Sequence, residues 1–208
     1  MKYAEERKLI CEIGKRMYER GFVASNDGNI SLSPSENIML ITPSGVSKGF
    51  MKPEEIVVMD WDGNIMAGQN PSSEYPMHSI VYKTRKNIKS VCHAHPVCAT
   101  AFAVCDYDLN KPVLQEVLLS LGKIITVPYA VTGSEKLAKN LGKSLGDNHA
   151  FLLKNHGALT LGKEIIDAWH KMETLEHFAK IMTISLQIGN PTLLNKADIE
   201  KLNAKKIK

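Results

Sequence analysis

The sequence lacks the features that mark several large classes of protein. Its 208 residues contain no apolar run close to the roughly 18 residues that a membrane-spanning helix needs. Residues 1–7 are mostly charged, whereas a secretory signal peptide would soon become apolar. Aromatic residues make up only 6% of the chain, but 44% hydrophobic and 23% charged residues are typical of a globular domain. We therefore predict one domain in the cytoplasm, with no membrane partner.

Cysteine is also scarce, and its spacing argues against two kinds of site. The four cysteines form no C-x-x-C pair of the kind that binds zinc or exchanges disulfides; they are Cys11, Cys92, Cys98 and Cys105. Three of them lie in apolar stretches, where cysteine behaves as a small buried apolar side chain. We expect free thiols in a reducing compartment rather than a disulfide framework.

The positive charge of the chain is concentrated at its C-terminal end. The net charge is +4, and the last 13 residues carry five lysines against Asp198 and Glu200, which accounts for +3 of it. A nucleic-acid-binding domain instead shows a basic stripe across a folded face. We predict a domain over residues 1–190, a solvated lysine-rich segment over residues 191–208, and no nucleic-acid partner.

Hydrophobic periodicity predicts a sheet with helices packed on it. Apolar residues at helical spacing predict helices over residues 4–20, 74–86, 134–145 and 163–188, with Leu9 and Leu186 among the side chains that face the core. Short apolar runs around turn residues predict two hairpins, formed by residues 30–32 with 38–41 and by residues 56–59 with 65–66. Further strands are predicted over residues 90–95, 124–127, 150–153 and 158–161. The N-terminal part of this sheet is expected to be mainly antiparallel.

The most informative motif is His93-Ala94-His95, at the end of a predicted strand. Residues i and i+2 of a strand point to the same face, so the two imidazoles would project side by side. One interpretation is a metal site, in which a nitrogen of each ring binds one ion at about 2.0–2.1 Å. The other is a pair of surface histidines at a strand end. The apolar neighbours Val91 and Cys92 favour burial, and buried imidazoles need a shared partner.

A third histidine, His156, lies in the tight connection between two predicted strands, just before Gly157. The glycine would let the backbone turn sharply and approach a ligand closely. On its own, a histidine in this position is more often a structural residue that is hydrogen-bonded within the fold. Together with His93 and His95 it would complete a set of three histidines with an open fourth position, which is typical of catalytic zinc sites.

Chemistry at such a site needs an acid or a base, and Glu74 in Ser72-Ser73-Glu74 is the candidate. The local alternative is that one of the serines caps the following helix, while Glu74 interacts favourably with the helix dipole. The backbone N–H groups and hydroxyls at this helix start would also suit a phosphate. Two loops of similar composition contain Gly28-Asn29 and Ser44-Gly45, although either one alone is most often a turn.

Taken together, these motifs give the chain a resemblance to a known family. From about residue 5 to residue 190 the chain resembles the class II (zinc-dependent) sugar-phosphate aldolases of the fuculose-phosphate aldolase and adducin-head type. The resemblance implies a three-layer α/β/α sandwich around a mainly antiparallel sheet, and a homotetramer with active sites at subunit borders. It implies one zinc ion per subunit held by His93, His95 and His156, with Glu74 as a fourth ligand that becomes the proton-transfer group once substrate displaces it. It also implies that the substrate phosphate is bound by Gly28, Asn29, Ser44, Gly45, Ser72 and Ser73.

The function implied by the resemblance is that of a carbon–carbon lyase. Aldolases of this type cleave or form a ketose 1-phosphate, with dihydroxyacetone phosphate and an aldehyde as the other reactants, through a metal-stabilised enediolate. Glu116 falls where fuculose-phosphate aldolases place a tyrosine from a neighbouring subunit, so we expect Glu116 in the second half of the pocket. Two alternatives stay open, namely a metal-dependent decarboxylase or dehydratase on a related sugar phosphate and a non-catalytic module like the adducin head.

Overall fold

The chain forms one eight-stranded sheet with helices on both of its faces. The computed structural model describes residues 2–105 and 107–205, which contain seven α-helices and eight β-strands. The strands are β1 (Asn29–Ser35), β2 (Ile38–Ile41), β3 (Val57–Met59), β4 (Ile65–Ala67), β5 (Ser90–Ala94), β6 (Ile124–Val127), β7 (Ala150–Leu153) and β8 (Gly157–Gly162). The helices are α1 (Ala4–Glu19), α2 (Tyr75–Thr84), α3 (Val97–Val104), α4 (Gln115–Ser120), α5 (Glu135–Ser144), α6 (Ile165–Ile188) and α7 (Lys196–Lys205).

The order of the strands places residues from distant parts of the sequence side by side. Across the sheet the order is β4-β3-β2-β1-β5-β8-β7-β6. Neighbouring strands of the described chain are antiparallel except for β6 and β7, which run parallel. Both hairpins predicted from the sequence are present, as β1 with β2 and β3 with β4. The mainly antiparallel sheet is thus confirmed.

Alternation of side chains along the strands builds two separate cores. In β7, Ala150 and Leu152 face the core beneath α1, α3, α4 and α6, whereas Phe151 and Leu153 face the core beneath α2 and α5. Successive side chains of a strand point to opposite faces, so a strand that is apolar at every position is buried on both sides. The result is the three-layer α/β/α sandwich that the family resemblance implied.

The predicted helices and strands agree with the structure, and the differences have local causes. Helices α3 and α4 were missed because they are only 8 and 6 residues long, too short to show a helical period. The predictions for Leu9 and Leu186 were wrong, since the two side chains are 37% and 40% exposed at the edges of the buried stripes of α1 and α6. The lysine-rich segment contains α7, which buries Leu202, whereas lysines 206 and 208 lie outside the described residues.

The structure also describes the state of the cysteines and the apolar character of the helices. All four cysteines are free thiols, as predicted, and Cys92 is buried in the sheet. In the part of the chain that the structure describes, no helix is both long enough and apolar enough to cross a membrane.

A buried carboxylate fixes the segment that follows β5. Glu176 of α6 is only 2% exposed and accepts hydrogen bonds from the backbone N–H groups of Cys98 and Ala99, at 3.2 and 2.9 Å. These groups belong to the first turn of α3, where backbone donors have no partner within the helix. Negative charge is favourable at a helix N-terminus. Glu176 therefore holds the start of α3, and with it the end of β5, in place.

We predict that Glu176→Ala lowers the free energy of unfolding by about 3 kcal/mol, because two buried N–H groups lose a charged acceptor. Chemical denaturation monitored by circular dichroism measures the change. The matched control is Glu173→Ala on the same helix, which removes a surface ion pair with Arg20 and should cost less than about 1 kcal/mol. Equal effects of the two substitutions would contradict this role for Glu176.

Candidate metal centre and adjoining pocket

Three neighbouring strands bring the predicted site residues to one edge of the sheet. In the antiparallel register of β1, β5 and β8, His93 lies opposite Asn29 on one side and Leu159 on the other. His95 follows the end of β5, and His156 directly precedes the start of β8. The end of an antiparallel strand lies beside the starts of its two neighbours, so residues at these three positions converge.

The three histidines form a compact cluster. Their nearest ring nitrogens all lie within 4.8 Å of one another, and the Nε2 atoms of His93 and His95 are 3.2 Å apart. His93 donates from Nδ1 to the carbonyl of Ala158 at 2.9 Å, and His95 donates from Nδ1 to Asp27 at 3.3 Å. Because Nδ1 carries a proton in both rings, Nε2 of each ring presents a lone pair to the cluster whenever the ring is neutral, as it is when it binds a metal ion.

The connection between β7 and β8 allows the rings to approach each other. Asn155 adopts a left-handed conformation with φ of 57°, which turns the chain toward β8. A Cβ atom at Gly157 would overlap Cδ2 of His95 and would stand 2.6 Å from the carbonyl oxygen of Ala94. Only glycine fits here, because any side chain would push the His95 ring out of the cluster.

Glu74 reaches the same cluster from the start of α2. Its Oε2 is 3.2 Å from Nε2 of His93, and its Oε1 is 3.4 Å from Nε2 of His156. Asn29 donates from Nδ2 to Oε2 at 2.8 Å. Within the described chain no side chain caps α2, and Ser72 instead accepts a bond from the backbone N–H of Glu74 at 3.3 Å. The capping interpretation therefore does not describe the Glu74 carboxylate, which faces the histidines.

Burial and the charges of neighbouring groups set the pKa values of the side chains in the cluster. Burial would raise the pKa of Glu74, but His93, His156 and the Asn29 hydrogen bond together hold that pKa well below its usual range. Burial lowers the pKa of His156 to about 4 and lowers that of His95 as well. For His93, burial is outweighed by the neighbouring Glu74 carboxylate, so its pKa is raised. The cluster thus combines a carboxylate with imidazoles of which two stay neutral near pH 7.

This donor set fits a divalent metal ion. Two ligands that each lie 2.0–2.1 Å from one tetrahedral ion are about 3.3 Å apart, close to the spacing between the Nε2 atoms of His93 and His95. Oε1 of Glu74 and Nδ1 of His156 are buried with no hydrogen-bond partner among the described residues. Buried polar atoms are rarely left without a partner. A cation bound to the Nε2 atoms and to the carboxylate would satisfy Oε1.

A polar pocket opens beside the cluster, and its lining includes all the residues predicted to bind phosphate. The pocket has a volume of about 270 Å³ and is also lined by Glu74, His95 and His156. At Gly45, φ is 76°, and a Cβ atom there would meet no other part of the protein within 4 Å, so this backbone faces open space. The predicted phosphate-binding residues that share this pocket are Gly28, Asn29, Ser44, Gly45, Ser72 and Ser73.

Lys48 also lines this pocket, and no sequence pattern pointed to its importance. The side chain is only 1% exposed, and its ammonium group donates to the carbonyls of Asn26 and Val46 at 2.8 and 2.7 Å. It therefore ties the loop before β1 to the loop after β2, the two loops that carry Gly28 and Ser44. Burial lowers the pKa of Lys48 to about 8. A buried ammonium group between these loops supplies positive charge to the pocket.

Glu116 lies apart from the cluster of its own chain. It is in the first turn of α4, exposed, and accepts a hydrogen bond from the side chain of Gln115 at 3.3 Å. It is not among the described residues that line the pocket. Any role of Glu116 in catalysis would therefore need a second subunit that brings it to the pocket of a neighbour.

Comparison with known families gives one match that covers most of the chain. Residues 8–183 match the family model of the class II aldolase and adducin N-terminal domain. The matched range extends from α1 into α6 and includes every histidine of the cluster as well as Glu74.

Individual related proteins support membership of the same family. An L-fuculose phosphate aldolase of Methanocaldococcus jannaschii is 35% identical over 183 residues, which cover 88% of this chain and 98% of that protein. A 3-oxo-tetronate 4-phosphate decarboxylase of Haemophilus influenzae is 34% identical over 180 residues, covering 85% of this chain and 86% of the relative. A solved structure of an L-fuculose 1-phosphate aldolase superposes with a TM-score of 0.89 at 31% identity, covering 100% of this chain and 99% of the other.

We predict that the purified protein binds one divalent ion per chain and that His156→Ala weakens this binding at least about 100-fold, because a three-histidine site loses one ligand. Metal content after dialysis against a graded series of chelator concentrations measures the affinity. His170→Ala, on the exposed face of α6, is the matched control and should bind metal like the unmodified protein. Identical metal retention by the two variants would contradict a metal site at the cluster.

Proposed function

Because the chain belongs to the class II aldolase and adducin N-terminal domain family and is an aldolase-type enzyme, we propose that it cleaves a ketose 1-phosphate into dihydroxyacetone phosphate and an aldehyde, with zinc as its metal. The observation that carries this proposal is the convergence of His93, His95, His156 and Glu74 beside a pocket lined by the loops that are predicted to bind phosphate. An imidazole-rich donor set with one carboxylate suits zinc better than magnesium or calcium, which prefer oxygen ligands.

Each residue of the cluster has a distinct part in the proposed reaction. His93, His95 and His156 would hold the ion, with their Nδ1 hydrogen bonds fixing the first two rings. The bound ion would act as a Lewis acid that stabilises negative charge developing on the substrate oxygen. Glu74 would transfer a proton to or from the substrate, since its buried Oε1 has no hydrogen-bond partner among the described residues. The lowered pKa of Glu74 means that this group is an ionised carboxylate in the free protein, which is the form that can accept a proton.

The rest of the pocket would hold the phosphate and so position the reacting bond. Gly45 offers a backbone that no side chain covers, and Ser72 and Ser73 offer hydroxyls beside the start of α2. Lys48 adds a buried positive charge between the two loops. Holding the substrate by a group remote from the chemistry lowers the entropic cost of reaching the reactive geometry.

We also propose a homotetramer with active sites at subunit borders, which is the assembly that the resemblance to fuculose-phosphate aldolases implies. Glu116 could then approach the pocket of a neighbouring subunit, and light scattering of the protein in solution gives the number of subunits. The free thiols fit the proposed cytoplasmic location.

A decarboxylase is the second candidate, because one of the relatives is a 3-oxo-tetronate 4-phosphate decarboxylase of almost the same identity. The same cluster could stabilise the negative charge left when carbon dioxide departs. The aldehyde end of the pocket would distinguish the two reactions, and there a neighbouring subunit would contribute Glu116 in place of the tyrosine of fuculose-phosphate aldolases. A non-catalytic module is less consistent with a buried cluster of three imidazoles and a carboxylate.

We predict that the zinc-loaded protein releases dihydroxyacetone phosphate from at least one ketose 1-phosphate, and that Glu74→Gln lowers kcat at least about 100-fold because the proton-transfer group is lost. A coupled assay for the triose phosphate measures the reaction. Glu135→Gln, in the exposed first turn of α5, is the matched control. Release of carbon dioxide from a phosphorylated 3-oxo acid, without aldehyde from any ketose 1-phosphate, would replace the aldolase proposal with the decarboxylase.

We also predict that phosphate-bearing ligands bind about tenfold more weakly at pH 9.5 than at pH 7, a change that corresponds to about 1.4 kcal/mol. Lys48 has a pKa lowered to about 8 by burial, so it is mostly charged below that pH and mostly neutral above it. Titration calorimetry with inorganic phosphate measures the affinity at both values. The pH dependence should disappear in Lys48→Met and persist in Lys139→Met, an exposed lysine of α5. Its persistence in Lys48→Met would exclude Lys48 as the cause.

A further inference from the structure

A chain of hydrogen bonds between buried side chains leads from the core to Glu74. Tyr82 of α2 bonds Ser31 of β1 at 2.5 Å, and the same Ser31 hydroxyl bonds Nδ1 of His78 at 2.6 Å. Nε2 of His78 bonds Oδ1 of Asn29 at 2.5 Å, and Nδ2 of Asn29 bonds Oε2 of Glu74 at 2.8 Å. Four of the five residues take no part in metal binding as described above, and His78 and Tyr82 do not line the pocket.

The ionised carboxylate at one end and a neutral His78 in the middle together fix the direction of every bond. A carboxylate only accepts hydrogen bonds, so the amide nitrogen of Asn29 must face Glu74 and the amide oxygen must face His78. That oxygen also only accepts, so Nε2 of His78 must carry a proton. A neutral His78 then has an acceptor at Nδ1, to which Ser31 donates, while the oxygen of Ser31 accepts from Tyr82. One arrangement of protons satisfies the whole chain.

Burial makes this arrangement rigid. His78 and Ser31 are fully buried, and Tyr82 and Asn29 are 1% and 3% exposed, so water does not compete for these bonds. Burial lowers the pKa of His78 to about 3, with a further lowering by the nearby His93 and an opposing effect of Glu74. A protonated His78 would donate from both nitrogens and reverse its bond with Ser31. With a neutral His78 ring, each side chain donates a hydrogen bond to the next one, from Tyr82 to Glu74.

We propose that His78 is a positioning residue for catalysis, which acts by fixing the Asn29 amide so that it holds Oε2 of Glu74 and leaves Oε1 free for the metal ion and, once substrate displaces the carboxylate, for the substrate. The two carboxylate oxygens are unequal in the structure. Oε2 accepts from Asn29, whereas Oε1 is buried without a hydrogen-bond partner among the described residues and points toward His156 at 3.4 Å. Without the donor at Nε2 of His78, the Asn29 amide could rotate and release the carboxylate. The inference rests on the proton-transfer role proposed for Glu74.

The tautomer of His78 tests the hydrogen-bond chain independently of the enzymatic reaction. We expect ¹⁵N-labelled, zinc-loaded protein to show His78 as a neutral ring protonated at Nε2 from pH 5.5 to pH 8. The resonance is assigned by its loss in His78→Gln. A ring protonated at Nδ1, or one that titrates within this range, would overturn the proposal even if the protein proves to be an aldolase.

Two substitutions separate positioning from simple packing. In His78→Gln the amide nitrogen can replace Nε2 and donate to Asn29, so we expect kcat within about fivefold of the unmodified enzyme. In His78→Leu no donor remains, and we expect kcat to fall at least about 30-fold with KM for the ketose 1-phosphate changed less than about threefold, since misorientation of a catalytic group alone can cost about 10²-fold.

The exposed His170→Gln is the matched control, with kinetics expected to be unchanged. Equal losses in His78→Gln and His78→Leu, or a loss that appears in KM rather than kcat, would overturn the proposal. If neither variant folds, the tautomer of the unmodified protein decides. If the unmodified protein cleaves no ketose 1-phosphate, the proposed function fails. The tautomer of His78 still shows in which direction the hydrogen bonds between Tyr82 and Glu74 run.

Discussion

The structure depends on bringing three imidazoles and a carboxylate together where water is largely excluded. His93 is fully buried, and Glu74 is only 8% exposed, so their polar atoms cannot rely on solvent. Burying such groups is costly unless each finds a partner. Backbone carbonyls and side chains satisfy the outer nitrogens of His93 and His95, but Oε1 of Glu74 has no partner in the described chain. A shared cation would resolve this imbalance, and in the proposed reaction it would also stabilise negative charge on the substrate.

The sheet supplies the geometry that this arrangement needs. Strands β1, β5 and β8 are central and antiparallel, so a residue at the end of β5 and one just before β8 meet with little freedom. The helices then add the second half of the site. Helix α2 brings Glu74 to the cluster and His78 to the hydrogen-bond chain behind it, and Glu176 of α6 fixes the start of α3 just beyond His95. Rigid elements thus hold residues on both sides of the metal site.

Much of the fold and the metal cluster could be predicted from the sequence, because the signals are local. His93 and His95 share one face by strand alternation, and the hairpins have turn residues between apolar runs.

Features set by distant contacts had no such signal. Lys48 is recognised by its bond to a carbonyl 22 residues away, His78 by a bond to Asn29 across 49 residues, and Glu176 by bonds to a helix 77 and 78 residues away. For Glu74, the local pattern favoured helix capping, and only the contacts of Glu74 with the histidines in the folded chain show that its carboxylate belongs to the cluster.

The central claim is that this cluster binds one metal ion through the three histidines. X-ray absorption spectroscopy of the zinc-loaded protein tests it most directly, because the spectrum reports the type, number and distance of the ligand atoms. We expect three imidazole nitrogens at about 2.0–2.1 Å and one further oxygen ligand. A spectrum with sulfur ligands, or with fewer than three imidazoles around the zinc, would contradict the account.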